Sequence, residues 1–358
     1  MTHKLLSVII PTYNMAALLP RCLDSLVKAQ HADLLDVLVV NDGSKDNSSE
    51  VGHQYETQYP GIVRVIDKPN GNYGSTINAA LPVATGKYIK VLDSDDWFDT
   101  QALDEMLLCL GKQDADMVIT HFTQLGPNGS REVVRYNTMG REPYIYNKVY
   151  DLDDVLKDRY IRFFLMHALA YRTDLLRQTG YRQTEGISYT DTEWASLPVF
   201  HARTILFLNL NVYQYNLDRA GQTMAPEVIM KSLPQLEKVT DRMLDYYRTH
   251  RSTLSPIRAA FMKQYFENRL RILYKLYLLD MPRRDFRAED LQRLDDKLTP
   301  ACVELDLHPR LYPENKLLRI DYIAYWHRHH RRWSPSLEHL NHALDIIMRW
   351  LYVRLFRQ

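Results

Sequence analysis

Four short apolar runs, residues 6–11, 37–41, 62–66 and 88–92, alternate with helix-compatible stretches at residues 16–29, 48–58 and 75–81. Each run is too short for a helix and apolar at consecutive positions, as a parallel strand buried on both faces requires. Strand and helix in repetition leave few solutions: right-handed crossovers, with helices covering both faces of a mostly parallel sheet. The spacing predicts an α/β, Rossmann-like fold, and such sheets bind ligands outside the carboxyl ends of their strands.

Polar clusters fall at those ends. Pro11-Thr12-Tyr13-Asn14 follows the first run, Asn41-Asp42-Gly43-Ser44 the second, and Asp93-Ser94-Asp95-Asp96 the fourth. Three carboxylates within four residues repel one another unless a cation or donor group offsets them. A hard divalent ion, Mg²⁺ or Mn²⁺, prefers one or two carboxylates with phosphate oxygens and water. The alternative is that Asp95 or Asp96 caps a helix starting near Trp97 or Thr100. Asp42 either accepts hydrogen bonds from a ligand or belongs to a turn before a helix near residues 46–48. The glycine-rich stretch from Pro69 to Ser75, with Asn70 in it, leads into a helix and lets backbone approach a phosphate.

The remainder is less regular. Residues 116–215 read as shorter strands and turns, with a hairpin turn at residues 126–129. Beyond Ala225 the pattern is helical, broken near Pro256, Pro282, Pro309 and Pro313. The length predicts about two domains, with boundaries expected at 1–115, 116–225 and 226–358. Hydrophobic residues make up 46% and charged residues 25%, which excludes a disordered chain. Three scattered cysteines, Cys22, Cys109 and Cys302, form no metal or disulfide pattern and fit a reducing cytosol. No secretory signal or spanning helix is expected. Residues 226–358 carry 24 Lys/Arg against 17 Asp/Glu, and the rest 21 against 27. That surplus is modest and mixed with acids, so no nucleic-acid partner is expected.

Taken together, residues 8–14, 40–48, 70–81, 84–89 and 92–97 resemble the family 2 glycosyltransferases of GT-A-type fold, especially bacterial enzymes of capsular and exopolysaccharide synthesis. The resemblance implies a nucleotide-sugar (donor) part at 1–115 and an acceptor or catalytic part at 116–225. It implies that Pro11, Thr12, Asn14, Asp42, Asn70 and Asn78 serve the donor, with Thr12 and Asp42 on the nucleoside, most often uridine. Asp93 would sit near ribose and metal, and Asp95 would ligate the Mn²⁺ or Mg²⁺ that bridges the diphosphate. Many relatives carry arginine where this chain has Ile77, so Lys87 or Lys90 would replace it at the diphosphate. A weaker likeness spans residues 160–224. There Asp191, behind Thr190, inherits the catalytic base, the alternative being a helix cap with Glu193 in the first turn, and Tyr213-Gln214-Tyr215-Asn216 with Arg219 and Gly221-Gln222-Thr223 resembles the closing loop that commonly follows.

The expected activity is therefore inverting, metal-dependent transfer of a sugar from a nucleotide-sugar, a UDP-sugar foremost, to a glycan or lipid-linked glycan. Asp191 would take the acceptor proton. Hydrolysis by paired carboxylates explains neither Asp42 nor the convergence at strand ends. A nucleotide-sugar-binding module without turnover stays as the alternative, since Thr190 stands at a usual acid. His167 either lines the acceptor cleft or is a core or rim histidine among apolar neighbours. An apolar stripe from Leu337 to Leu355, behind a basic run at residues 327–332, packs on other helices or a second subunit, or lies on an anionic membrane. The expected location is cytoplasmic, with peripheral contact at the inner face of the membrane if the stripe meets lipid.

Overall fold

A computed structural model describes residues 3–136, 144–158, 161, 163–218, 226–312, 320–333 and 343. Its strands are β1 (Leu6–Thr12), β2 (Leu35–Asn41), β3 (Val63–Asp67), β4 (Tyr88–Val91), β5 (Trp97–Phe98), β6 (Met117–Leu125), β7 (Arg131–Val134), β8 (Val149–Asp151), β9 (Leu169–Arg172) and β10 (Thr204–Asn216). The helices are α1 (Leu19–Val27), α2 (Ser48–Gln58), α3 (Asn72–Ala80), α4 (Thr100–Lys112), α5 (Leu152–Lys157), α6 (Thr173–Gln178), α7 (Asp191–Ser196), α8 (Pro226–Lys231), α9 (Leu233–His250), α10 (Pro256–Lys275), α11 (Ala288–Leu305) and α12 (Tyr322–His329). The chain divides into two compact units, Met1–Phe261 and Met262–Gln358.

The first unit is built on one sheet in the order β3-β2-β1-β4-β9-β6-β10-β5, with β7 on β6 and β8 on β10. β1 pairs in parallel with both β2 and β4, so the strand order reverses there and opens a crevice at the carboxyl ends. Every residue of β1 and β2 is buried, as strands covered on both faces must be. The sheet is mixed, because β9 runs antiparallel to both β4 and β6.

A buried carboxylate locks the opposite end of these strands. Asp36 of β2 accepts from Ser7 Oγ, Thr85 N and the Arg64 guanidinium. Gly86 fits here because a Cβ on it would lie 2.3 Å from Ser7 N and 2.6 Å from the Leu6 carbonyl carbon. The glycine of the Ala84-Thr85-Gly86 motif is thus a packing requirement.

Two expectations shift in detail. The first helix begins at Leu19 rather than Ala16, because Asn14 adopts φ 54° and the Ala16 amide turns to Asp46. Residues 116–215 include more than short strands: β10 runs for 13 residues, with register shifts between Phe207 and Tyr213. The turn Pro127–Gly129 does join β6 to an antiparallel β7.

The second unit is helical. Leu291, Leu294, Leu298, Ala301 and Leu305 form the buried stripe of α11. Asp295 on that stripe accepts from the Tyr274 hydroxyl and Trp326 Nε1 and pairs with His327 Nε2 at 2.9 Å. Arg332, from the basic run, donates to the carbonyls of Tyr277 and Met281. The apolar stripe Leu337–Leu355 lies outside the described residues. Among the described residues, no helix is long and apolar enough to cross a membrane.

Candidate active site

At the reversal point the strand ends enclose a cavity of about 320 Å³. Pro11 and Thr12 from β1, Asp42 from β2, Asn70 from the following loop and Asp93 and Asp95 after β4 all line it. Asp191 enters from the far side as the first residue of α7. Seven residues singled out in the sequence therefore meet around one space.

Asp42 is held by the loop that follows β3. Its Oδ1 accepts from Lys68 Nζ at 2.6 Å, Gly71 N at 2.9 Å and Ser75 Oγ at 3.3 Å, and Asn70 Nδ2 donates to its carbonyl. The side chain is only 4% exposed, so these contacts offset the desolvation of the charge. The Lys68 partnership was invisible in the sequence, where 26 positions separate the two residues. The helix expected after Asp42 starts at Ser48, where Asp46 accepts from Ser48 N.

The acidic cluster divides its work. Asp93 accepts from the Tyr73 hydroxyl at 2.9 Å, while Arg21 stacks its guanidinium over Trp97 and donates to the Asp95 carbonyl. Asp96 is buried beneath them, accepting from the Tyr213 hydroxyl at 2.6 Å and Asn216 N at 2.7 Å. Burial, with the charges of Asp93 and Asp95, pushes its carboxyl well above the usual carboxylate range. Helix capping, considered for Asp95 or Asp96, belongs to Asp99, which accepts from Ala102 N. Carboxylates crowded at a cavity wall, one raised by the others, are a donor set that fits a hard divalent cation.

Two of the remaining donor candidates stand outside the lining. Asn14 ties the β1 and β2 loops together, its amide donating to Ser44 Oγ and its Oδ1 accepting from Lys45 N. Asn78 faces the segment before Asp191: Nδ2 donates to Gln183 O and Glu185 Oε1, and Oδ1 accepts from Gln183 N. Gly74 closes the same contact, for a Cβ there would lie 2.1 Å from Thr184 O. Arg219 lies outside the described residues, as do Gly221-Gln222-Thr223.

Neither lysine offered for the missing arginine lines the cavity. Lys90 is fully buried, donates to the carbonyls of His167 and Leu169, and is lowered by burial to about 7. Lys87 donates to Gln113 O and sits 3.5 Å from Asp114. Both side chains point where strand and helix ends leave carbonyls to satisfy.

Asp191 shares its helix with Glu193, and the two acids have different surroundings. Glu193 is buried, accepts from Thr184 N and Oγ1, and is raised by that burial. Asp191 lines the cavity. His167 lines it too, with its ring packed among Phe122, Tyr213 and Tyr215, as a histidine at the rim of the core. Burial, and then the Lys90 charge, lower its imidazole to about 3, so it is neutral. Tyr73 from the glycine-rich stretch, Met166, and Tyr215, which stands in β10 rather than in a loop, also line it.

Comparison with known proteins adds the following. The model of "Glycosyl transferase family 2" matches residues 7–180. A Mycoplasma genitalium protein described as an uncharacterized glycosyltransferase, MG025, is 32% identical over 249 residues, covering 62% of this chain and 82% of its own. The chondroitin synthase of Pasteurella multocida is 39% identical over 137 residues, which is 37% of this chain and 14% of the synthase. Among solved structures, S. aureus TarS 1–349, in complex with UDP-GlcNAc, superposes with a TM-score of 0.56 at 19% identity, covering 84% of this chain and 88% of that one. That likeness shows a shared GT-A fold.

Proposed function

Since the chain belongs to glycosyl transferase family 2, we propose that its cavity binds a UDP-sugar and transfers the sugar, with inversion, to a hydroxyl of a glycan or lipid-linked glycan. The observation that carries this reading is the meeting of Thr12, Asp42, Asp93, Asp95 and Asp191 around one space. Kinship with a chondroitin synthase over part of the chain supports a polysaccharide acceptor.

Thr12 and Asp42 would take the nucleoside, Asp42 through an oxygen that Lys68, Gly71 and Ser75 do not occupy. Asn70 and the amides at the start of α3 would face the ribose and phosphates. Asp93 and Asp95 would hold Mn²⁺ or Mg²⁺, which when bound offsets charge on the departing nucleoside diphosphate. Asp191 would accept the acceptor hydroxyl's proton on the side opposite the leaving group, as a single displacement with inversion requires. Asn14 and Asn78 would act at one remove, by holding the loops that carry these groups. Arg219 would close over the donor. In this reading residues 1–115 form the donor part, 116–225 the acceptor part, and 226–358 face a membrane or a second copy on the cytoplasmic side.

The experiment is Asp191→Asn, assayed for UDP binding by calorimetry and for transfer from UDP-sugars. UDP binding should persist while transfer falls about 10²–10⁴-fold, the usual contribution of a general base. Unchanged transfer would remove Asp191 from the mechanism. UDP binding without turnover in the wild type, across donors and acceptors, would establish a binding module instead.

A further inference from the structure

His167 sits in the turn Met166–Ala168 that leads into β9. Three aromatic rings hold its imidazole. Tyr215 stacks on it with centroids 4.2 Å apart, Phe122 lies at 5.1 Å, and Tyr213 meets it edge-on at 4.8 Å. Lys90, below, donates to its carbonyl. The ring is thus fixed in place more firmly than lining a cleft requires.

Its Nδ1 is buried and has no hydrogen-bond partner. A buried polar atom left in that state costs free energy, and proteins keep one where a bound group supplies the partner. Two carboxylates stand beside the ring. One ligand-capable atom each from His167, Asp93 and Asp96 lie within 4.8 Å of one another. Ion–ligand bonds of about 2.0–2.2 Å place neighbouring ligand atoms roughly 3–4 Å apart, so the three need close by only an ångström or so. The carboxylates are themselves oriented: Tyr73 donates to Asp93, and Tyr213 and Asn216 N to the two oxygens of Asp96. Such an outer layer of hydrogen bonds is what aims ligands at a metal.

We propose that His167 is a direct ligand of the divalent cation, joining Asp93 at the cavity wall and Asp96 buried behind it. This rests on the reading of the cavity as a cation-assisted donor site, and adds to it a residue that lies far from the acidic motif in sequence. One nitrogen and two carboxylates suit Mn²⁺ better than Mg²⁺, which favours oxygen and water. Asp95, which lines the same cavity, would complete the set together with diphosphate oxygens.

The test is pulsed electron paramagnetic resonance on the full chain with Mn²⁺ and UDP, prepared with ¹⁴N-histidine and again with ¹⁵N-histidine. The expected spectrum shows nitrogen modulation from a bound imidazole that changes with the isotope. It is lost in both His167→Gln and His167→Ala, with Mn²⁺ affinity weakened about 10-fold or more. Thermal melts of the variants establish that they fold, and the wild-type isotope comparison stands without them. Bound Mn²⁺ with no isotope-sensitive modulation would overturn the assignment, as would modulation that survives both substitutions. UDP release is followed in parallel. Turnover without nitrogen ligation refutes His167 alone, whereas no turnover of any donor refutes the reading beneath it.

Discussion

Asn78→Ala separates two roles that the same asparagine could hold. The substitution deletes the hydrogen bonds to Gln183 N and O at 2.9 Å each, and the one to Glu185 at 2.8 Å. Glu185 is half exposed and also meets Arg182, so water and that arginine replace the lost contact. Gln183 is 3% exposed, and its peptide groups have no such recourse. Two buried groups left unsatisfied cost about 1–3 kcal/mol each, or roughly 2–6 kcal/mol together. For a unit of this size each kcal/mol lowers Tm by about 2–4 °C, so a drop of roughly 4–24 °C is expected. Because the released segment leads to Asp191, kcat should fall while the Kd for UDP stays within about twofold of wild type. Differential scanning calorimetry, UDP titration and a transfer assay read the three quantities. An unchanged Tm with lost UDP affinity would refute the packing role and return Asn78 to the donor, as the family resemblance implied.

Further outcomes follow from the same packing. Gly86→Ala should lower thermal stability by about 1–3 kcal/mol or more, since its Cβ would press on the backbone of β1; a melt equal to wild type would contradict that contact. In the second unit the Asp295 hydrogen bond, more than burial opposes it, raises His327 above its usual range, while hydrogen bonds from His327, Tyr274 and Trp326 outweigh burial and lower Asp295. A raised histidine stabilises below its unfolded pKa of about 6.5 and loses that contribution as pH climbs through its folded value. Melting of the second unit should therefore weaken as pH rises past about 6.5, and His327→Gln should flatten that slope. A slope that persists in the variant would place its origin elsewhere.

The strand-end part of the cavity was legible in the sequence because strand ends are set by apolar runs of fixed length. Thr12, Asp42 and Asp93 had to fall at the carboxyl edge once their runs were strands. What stayed hidden depends on contacts between distant segments. Lys68 finds Asp42, Tyr73 finds Asp93, and Asn78 finds Gln183, and no local pattern couples such pairs. Local chemistry also has several solutions of similar energy in an acidic stretch. Four aspartates lie between Asp93 and Asp99, and which one caps α4 was decided by where β5 placed the chain. His167 was ambiguous for a related reason: its apolar neighbours pack a core that itself forms the wall of the cavity.

The most direct measurement is UDP release from a panel of UDP-sugars with Mn²⁺, in wild type and Asp93→Asn, each with and without EDTA. Release from one donor, stopped by EDTA and by the substitution, is the expected result. Full release in EDTA, or in Asp93→Asn, would contradict cation-assisted transfer in this cavity.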